Sequence, residues 1–376
     1  MVRLSIIIPV FNEEDALDSV IEGVLQQKNN IIDSTDVSQI ELIVVNDAST
    51  DNSFTIVSKY TEVKLINLPN RLGYGQSLQI GFENAQTDLI AFLDGDNTYP
   101  PRYLTELCRE ILDSDASMVI ASRFLKKGAE ISKFRYIGNR FFSWLLSLLT
   151  NKQITDATSG MRIFKEDILS ELYPLPGGLN FSLAMTIKAI CQNLEVNEYP
   201  ICYHQRIGHS KLNIPKDGYR FLKTIFSIGS LYSPIKVFAA IGGVFIATAI
   251  LLSIAPLWLY LTQKTIPGYS IYRLIFALVF LAEGINLILF GLLNSFISIL
   301  KRKSSLYKLN IVATLLIIGG IALNGDGLYQ YIATGRVTVP WIRPLVGAIL
   351  ILLGIHLITF NNLVGILPTF GKAKSA

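Results

Sequence analysis

The sequence predicts two bodies in one chain: a mostly parallel α/β sheet domain, then an all-α transmembrane domain. Three observations predict this. Apolar runs ending in polar turns alternate with helical patterns in the first half of the chain, as in a parallel sheet covered by helices. Four apolar stretches follow residue 233, each long enough for the roughly 20 residues that a bilayer core requires. Charge is partitioned in the same way: residues 1–233 hold 22 Lys and Arg against 27 Asp and Glu, and residues 234–376 hold 11 against 2, so a net of −5 gives way to +9.

Each element rests on local pattern. Residues 5–10 form a continuous Ile/Val run, the signature of a strand covered on both faces. The apolar run is too short for a signal peptide, and Asn12-Glu13-Glu14 follow at once, so the sheet domain is expected to start the chain and stay in the cytosol. Residues 14–27 place Ala16, Leu17, Val20, Ile21 and Val24 on one helical face. Strands are expected over 41–46, 63–68, 88–93 and 118–122, with helices over 53–60, 75–85 and 100–112 between them; the last has proline in its first turn, where no amide donor is lost. In such sheets ligands bind beyond the carboxyl ends of the strands. The polar residues gather there: 9–13, Asp47, 94–96 and Arg123.

Several classes are excluded. At 51% hydrophobic the chain is too apolar for disorder. Three widely spaced cysteines, Cys108, Cys191 and Cys202, make neither a disulfide framework nor a metal-ligand pattern and fit reduced thiols. The first strand end carries neither a dinucleotide fingerprint nor a P-loop. The basic excess flanks apolar stretches, where it reports membrane topology rather than nucleic-acid binding.

Three motifs carry chemistry. Leu93-Asp94-Gly95-Asp96-Asn97 sets two carboxylates two residues apart after an apolar strand; it reads either as a polar turn or as a hard divalent-cation site that would neutralise a diphosphate leaving group. Val45-Asn46-Asp47-Ala48-Ser49-Thr50-Asp51 ends a strand in an acid; Ser49 or Asp51 suits helix capping, and Asp47 suits a nucleotide contact. Arg206-Ile207-Gly208-His209-Ser210-Lys211 puts two cations on a polar loop, to close over phosphates or to lie on anionic lipid.

Seven motifs in order resemble one family. They are 7–14 (Ile-Ile-Pro-Val-Phe-Asn-Glu-Glu), 45–51, 70–75 (Asn-Arg-Leu-Gly-Tyr-Gly), Asp94-Gly95-Asp96, 121–124 (Ala-Ser-Arg-Phe), 156–162 (Asp-Ala-Thr-Ser-Gly-Met-Arg) and 206–211. Together they look like the family 2 glycosyltransferases of GT-A, Rossmann-like fold, in the branch of dolichyl-phosphate mannose synthase and the polyprenyl-phosphate glucosyltransferases. The resemblance covers roughly residues 4–230. It implies that Pro9, Asn12, Glu13 and Asp47 bind the nucleotide, and that Asp94 and Asp96 hold a divalent metal (Mg or Mn) and the donor diphosphate. It further implies that Arg206 and Lys211 close on the donor phosphates, and that Arg123 and Arg135, with Asn139 nearby, bind the acceptor phosphate. Thr98 stands where relatives with a mannosyl donor often carry a glutamine ligand. Asp156 reads either as an orienter of the acceptor or of an arginine, or as loop structure. The chain lacks the Q-x-x-R-W string of processive synthases, which favours transfer of a single sugar.

The apolar stretches lie at about 235–261, 271–300, 309–332 and 341–367. Lys301, Arg302, Lys303, Lys308, Lys372 and Lys374 fall on one side of the expected membrane, and Lys264, Arg273, Arg336 and Arg343 on the other, a moderate positive-inside bias with the sheet domain cytosolic. Glu283 inside the second stretch is either a functional site or a pairing group between helices. Aromatic and basic residues mix over 139–149 and 217–232, the pattern of helices in the headgroup plane. The expected division is a sheet domain over 1–215, an interfacial helix over 216–233, a transmembrane domain over 234–368 and a tail over 369–376. The resemblance implies metal-dependent, inverting transfer of one sugar from a nucleotide diphosphate sugar to a polyprenyl phosphate (undecaprenyl or dolichyl phosphate) at the cytosolic membrane face; no nucleic-acid partner is expected, and a homo-oligomer is an open expectation. The alternatives are a membrane translocator or a scaffold with a regulatory nucleotide-binding domain.

Overall fold

The structure is a computed structural model that describes residues 2–126, 128–208, 214–264, 267–297, 307–339 and 342–366. Seven strands, β1 (Val2–Val10), β2 (Val37–Asn46), β3 (Val63–Asn67), β4 (Leu89–Leu93), β5 (Met118–Ser122), β6 (Met161–Lys165) and β7 (Val196–Pro200), make one sheet in the order β3-β2-β1-β4-β6-β5-β7. Every neighbouring pair is parallel except those of β6, which runs antiparallel to both β4 and β5. The sheet is therefore mostly parallel, as the sequence predicts.

Helices cover it: α1 (Leu17–Ser34), α2 (Ser53–Val57), α3 (Tyr74–Glu83), α4 (Tyr103–Asp113), α5 (Lys133–Thr150), the single turn α6 (Leu169–Leu172), α7 (Phe181–Cys191) and α8 (Ile214–Tyr232). On one face, Leu17, Val20, Ile21 and Val24 of α1 and Leu104, Leu107 and Ile111 of α4 bury against Leu4, Ile6, Ile8, Leu42 and Val44. On the other, Phe82 of α3, Phe92, Phe164 and Phe181 of α7 stack at 5.2–6.4 Å between ring centroids. Strands clothed on both faces need no alternation, which is why they read as Ile/Val runs.

The sequence reading missed β6, β7 and α7. The reason for β6 is visible. Arg162 stands at its second position, opposite Phe92 on β4 and Ile120 on β5, and is fully buried. Its guanidinium donates to the Ser159 carbonyl (3.1 Å), the Ala157 carbonyl (2.9 Å) and Thr186 Oγ1 on α7 (2.8 Å). Burial pulls its pKa down to about 10, still charged at neutral pH.

The chain divides into two compact units between Gly229 and Ser230. The second unit holds α9 (Pro234–Gln263), α10 (Gly268–Ile297), α11 (Tyr307–Thr334) and α12 (Ile342–Ile366). Among the described residues, three stretches are long and apolar enough to cross a membrane: Pro234–Gln263, Gly268–Leu292 and Asn310–Thr334. The fourth expected span falls on α12, whose described apolar stretch, Val346–Thr359, is shorter. The basic residues Lys301, Arg302, Lys303, Lys372 and Lys374 lie outside the described residues. Glycine lets the backbones approach: a Cβ on Gly242 would strike the Gly284 carbonyl between α9 and α10, and one on Gly320 would strike the Gly347 carbonyl between α11 and α12. Glu283, 2% exposed on α10, has its carboxylate 3.7 Å from His356 Nδ1 on α12, and Asn286 contacts His356 Nε2 at 3.1 Å, the inter-helix pairing geometry.

Thr186→Val keeps the shape of α7 but removes the oxygen facing Arg162. A buried charged donor losing one partner costs about 2 kcal/mol. The melting temperature of the full chain in detergent is expected to fall by roughly 4–8 °C.

Candidate active site

Strands β1, β2, β4 and β5 deliver their carboxyl ends to one edge of the sheet, and the loops there hold the candidate residues. Three of the loops contain non-glycine residues in the left-handed region: Asn12 (φ 51°), Ala48 (φ 55°) and Asn97 (φ 60°). Asparagine tolerates this conformation, whereas alanine is strained in it by about 1 kcal/mol. Side chains hold the first two loops together. Asn12 Oδ1 accepts from the Thr50 amide (2.8 Å), the Asn12 amide donates to Ser49 Oγ (3.0 Å), and the Glu13 amide donates to Ser53 Oγ (3.0 Å). Asp47 is buried and accepts from the Leu72 amide (2.6 Å) and the Gly73 amide (2.9 Å), which fixes the turn into α3. Gly73 has φ 101°, a conformation that glycine alone adopts readily. Pro9 is buried within β1, past Ile7, where pairing with β4 ends.

Asp94 and Asp96 follow the fully buried β4. Tyr74 Oη donates to Asp94 Oδ1 at 2.8 Å. Thr98 Oγ1 donates to Asp96 Oδ1 at 2.6 Å, so the residue in the glutamine place orients a carboxylate. Arg206 lies across the acids: Nη1 is 3.0 Å from Asp96 Oδ2, and Nη2 donates to Glu13 Oε1 at 2.5 Å. Burial, then the Asp96 charge, push the Asp94 carboxyl up to about 7. Burial works against the Arg206 charge, but Asp96 and Glu13 more than offset it and raise its pKa. Lys211 lies outside the described residues.

The loop Asp156–Arg162 joins this cluster to Arg123 at the end of β5. Arg123 Nε and Nη2 reach the two Asp156 oxygens at 2.6 Å each, and Nη2 also reaches Thr158 Oγ1 at 2.9 Å. Both partners are buried. Glu198 on β7 holds the loop from below, accepting from the Thr155 and Asp156 amides, both at 2.8 Å. Ser159 Oγ donates to the Ala121 carbonyl at 2.6 Å, and the Gly160 amide donates to Tyr99 Oη at 2.7 Å. Gly160 packs on Asp94; a Cβ there would run into its carboxylate. Asp156 thus orients an arginine, and the other positions of the motif are accounted for by contact.

The structure brings Glu13, Asp94, Asp96 and Arg206 into one charged cluster, with Asn12 and Asp47 framing its loops and Arg123 and Asp156 adjoining it. Arg135 and Asn139 stand apart on α5, one helical turn from each other. A ring pair at 5.3 Å, Phe124 with Tyr136, links the residue after Arg123 to the residue after Arg135. Two contributors were missed from sequence: Tyr74, which lay inside a quoted motif, and Glu198, which lies on a strand that was not anticipated.

A divalent cation fits this donor set. Two carboxylates share one turn, so hard oxygen ligands of like charge converge there. Among the described residues no third Asp, Glu, His or Cys completes a metal cage. That suits Mg²⁺ or Mn²⁺ held by one or two carboxylates together with phosphate oxygens and water.

The same pKa gives a stability prediction. Asp94 titrates near 7 when folded and near 3.8 when unfolded, so its contribution to stability is present below pH 3.8 and lost as pH rises through 7. Asp94→Asn removes that loss and keeps the Tyr74 contact. Its melting temperature should exceed that of the parent at pH 8, with the gap closing toward pH 4.

Residues 5–173 match Glycosyl transferase family 2. A low-salt glycan biosynthesis hexosyltransferase of Haloferax volcanii is 30% identical over 223 residues, covering 58% of this chain and 52% of its own. An undecaprenyl-phosphate 4-deoxy-4-formamido-L-arabinose transferase of Proteus mirabilis is 22% identical over 305 residues, covering 78% and 88%. A dolichyl-phosphate hexose transferase of Haloferax volcanii is 26% identical over 226 residues, covering 60% and 93%. The chain thus spans about half the length of the first relative and most of the other two. Glucosyl-3-phosphoglycerate synthase of Mycobacterium tuberculosis, solved with Mn²⁺, uridine diphosphate and phosphoglyceric acid, shares the fold at a TM-score of 0.51 and 18% identity, over 61% of this chain and 78% of that one. The ordered motifs, the mostly parallel sheet of GT-A type and the match to Glycosyl transferase family 2 agree over residues 5–173.

Proposed function

We propose that this protein transfers a single sugar from a nucleotide diphosphate sugar to a polyprenyl phosphate at the cytosolic face of a membrane. The observation that carries the reading is the charged cluster at the sheet edge: two carboxylates two residues apart, a cationic side chain across them, and a second, buried arginine beside them. The named lipid-phosphate transferases among the relatives support the acceptor class. The long apolar helices support residence in a membrane. On α5, Phe134, Ile137, Phe141, Trp144 and Leu148 are exposed, an aromatic face suited to the headgroup region.

In this reading Asp94 and Asp96 hold the metal, which when bound supplies positive charge to the leaving diphosphate. The Mn²⁺ in the mycobacterial structure of the same fold supports that cofactor. Tyr74 and Thr98 keep the two carboxylates in place. Arg206 and Lys211 bind the donor phosphates. Pro9, Asn12, Glu13 and Asp47 shape the nucleotide end. The attacking group is an oxygen of a phosphate monoester, mostly dianionic at pH 7 because its second pKa is near 6. It needs no general base. Attack from the face opposite the diphosphate inverts the anomeric centre. Arg123, with Nε and Nη2 turned to Asp156, offers Nη1 to the acceptor, and Arg135 and Asn139 receive the same phosphate from α5. The work is positioning and charge stabilisation.

The test is to incubate membranes containing the protein with a panel of labelled nucleotide sugars, a polyprenyl phosphate, and Mg²⁺ or Mn²⁺. Label from one donor should enter the organic phase and fall by about 100-fold or more in Asp96→Asn. No label from any donor, with folded protein that still binds nucleotide, overturns the reading. Arg135→Ala should raise the KM for the polyprenyl phosphate by about tenfold and leave the nucleotide sugar KM unchanged.

A further inference from the structure

Arg206 is bound twice before any substrate arrives. It bridges Asp96 (3.0 Å) and Glu13 (2.5 Å), and its side chain is about one-fifth exposed. The loop around it is anchored to the same turn: the His204 amide donates to the Thr98 carbonyl at 3.0 Å, and the Ile207 amide to the Asp96 carbonyl at 3.4 Å. Its Nε is buried and has no hydrogen-bond partner, so the guanidinium keeps one donor unused in this arrangement. An arginine so placed supplies the positive charge that Asp96 would otherwise draw from a metal. The acid cannot serve both cations fully, because both approach the same carboxylate.

We propose that Arg206 is an internal counter-cation that makes metal binding depend on a nucleoside diphosphate, and so selects diphosphate over monophosphate ligands. This rests on the reading of Asp94 and Asp96 as the metal site. A metal alone must displace Arg206 from Asp96 and leave it a single carboxylate, Glu13. A diphosphate changes the exchange. It offers the guanidinium a bidentate anion, with an acceptor for the idle Nε, while the metal takes the carboxylates and bridges to the phosphates. A monophosphate has one phosphate group for both cations to share. Coupling of this kind is reciprocal: the factor by which diphosphate raises metal affinity is the factor by which metal raises diphosphate affinity.

The test uses the full-length protein in detergent and Mn²⁺ followed by electron paramagnetic resonance, alone and with UDP, GDP, UMP, GMP or inorganic pyrophosphate. The parent protein should bind Mn²⁺ weakly alone, at least tenfold more tightly with one of the diphosphates, and little more tightly with the monophosphates. Arg206→Gln should bind Mn²⁺ alone about tenfold more tightly than the parent does. Its gain from diphosphate should shrink and its diphosphate affinity should fall, so the two affinities move in opposite directions. Arg206→Lys, which keeps the charge but not the fork, should lie between. Melting curves establish that the variants are folded. If Arg206→Gln loses diphosphate affinity while its affinity for Mn²⁺ alone is unchanged, Arg206 is a phosphate contact only and the proposal is overturned. If the parent and both variants bind no Mn²⁺ with any ligand, the metal reading of the site fails, and this inference fails with it.

Discussion

Two carboxylates at the end of a strand buried on both faces are the constraint around which the candidate site is arranged. β4 is fully buried, so Asp94 and Asp96 leave it into surroundings with little water, two residues apart and of like charge. Such a pair is unfavourable unless donors or cations answer it. The structure answers each separately: Tyr74 on Asp94, Thr98 and Arg206 on Asp96. The residual mismatch appears as the raised pKa of Asp94. Much of the neighbourhood follows. Gly160 has no side chain because Asp94 occupies that space, and Asp47 ties down the turn from which Tyr74 reaches in.

A second charged assembly lies beside the first and is organised oppositely. Asp96 carries its cation on a loop residue that is partly exposed, whereas Arg123 is buried and held at two atoms by a buried Asp156. Breaking a fully buried, bidentate pair costs more than breaking a single contact to an arginine that is about one-fifth exposed. Glu198 strengthens the difference by fixing the backbone that presents Asp156. One arginine is therefore built to stay and the other is able to exchange partners. In the proposed reading, that contrast fits an acceptor side set in advance and a donor side completed by its ligand.

The fold was legible where burial is symmetric and composition simple. The Ile/Val run of β1 and the strands ending at Asp47 and Asp94 could be read directly, as could the apolar helices, because few polar residues interrupt them. β6 was not legible because Arg162 breaks the apolar run, and its justification, Thr186 and two carbonyls, comes from distant sequence. β7, Val-Asn-Glu-Tyr-Pro, is an edge strand with half-buried residues and no periodic signal. The site divides likewise. Asp94, Asp96, Arg123 and Asp156 were legible as motif members. That Arg206 spans Glu13 and Asp96 was not, since 193 residues separate it from Glu13. Ion pairs between loops depend on topology, and no local pattern encodes them.

In the proposed reading, the charge arrangement also gives a reason for metal help on the donor side alone. A diphosphate donor entering the Asp94–Asp96 edge would meet like charge, with Arg206 already engaged there, and would have to bring a cation or release one. The acceptor meets the opposite situation. Arg123, though paired, keeps Nη1, and α5 carries Lys133, Arg135 and Arg140 and no acid. On that proposal a dianionic monoester would bind there without a metal, and its negative charge, the source of its nucleophilicity, would not be neutralised by direct coordination. With the acids under the proposed leaving group and the bases under the proposed nucleophile, charge would be stabilised where it accumulates and preserved where it attacks. The aromatic, exposed face of the same helix gives that basic end an apolar neighbour, which suits the proposed acceptor, a phosphate joined to a long hydrocarbon.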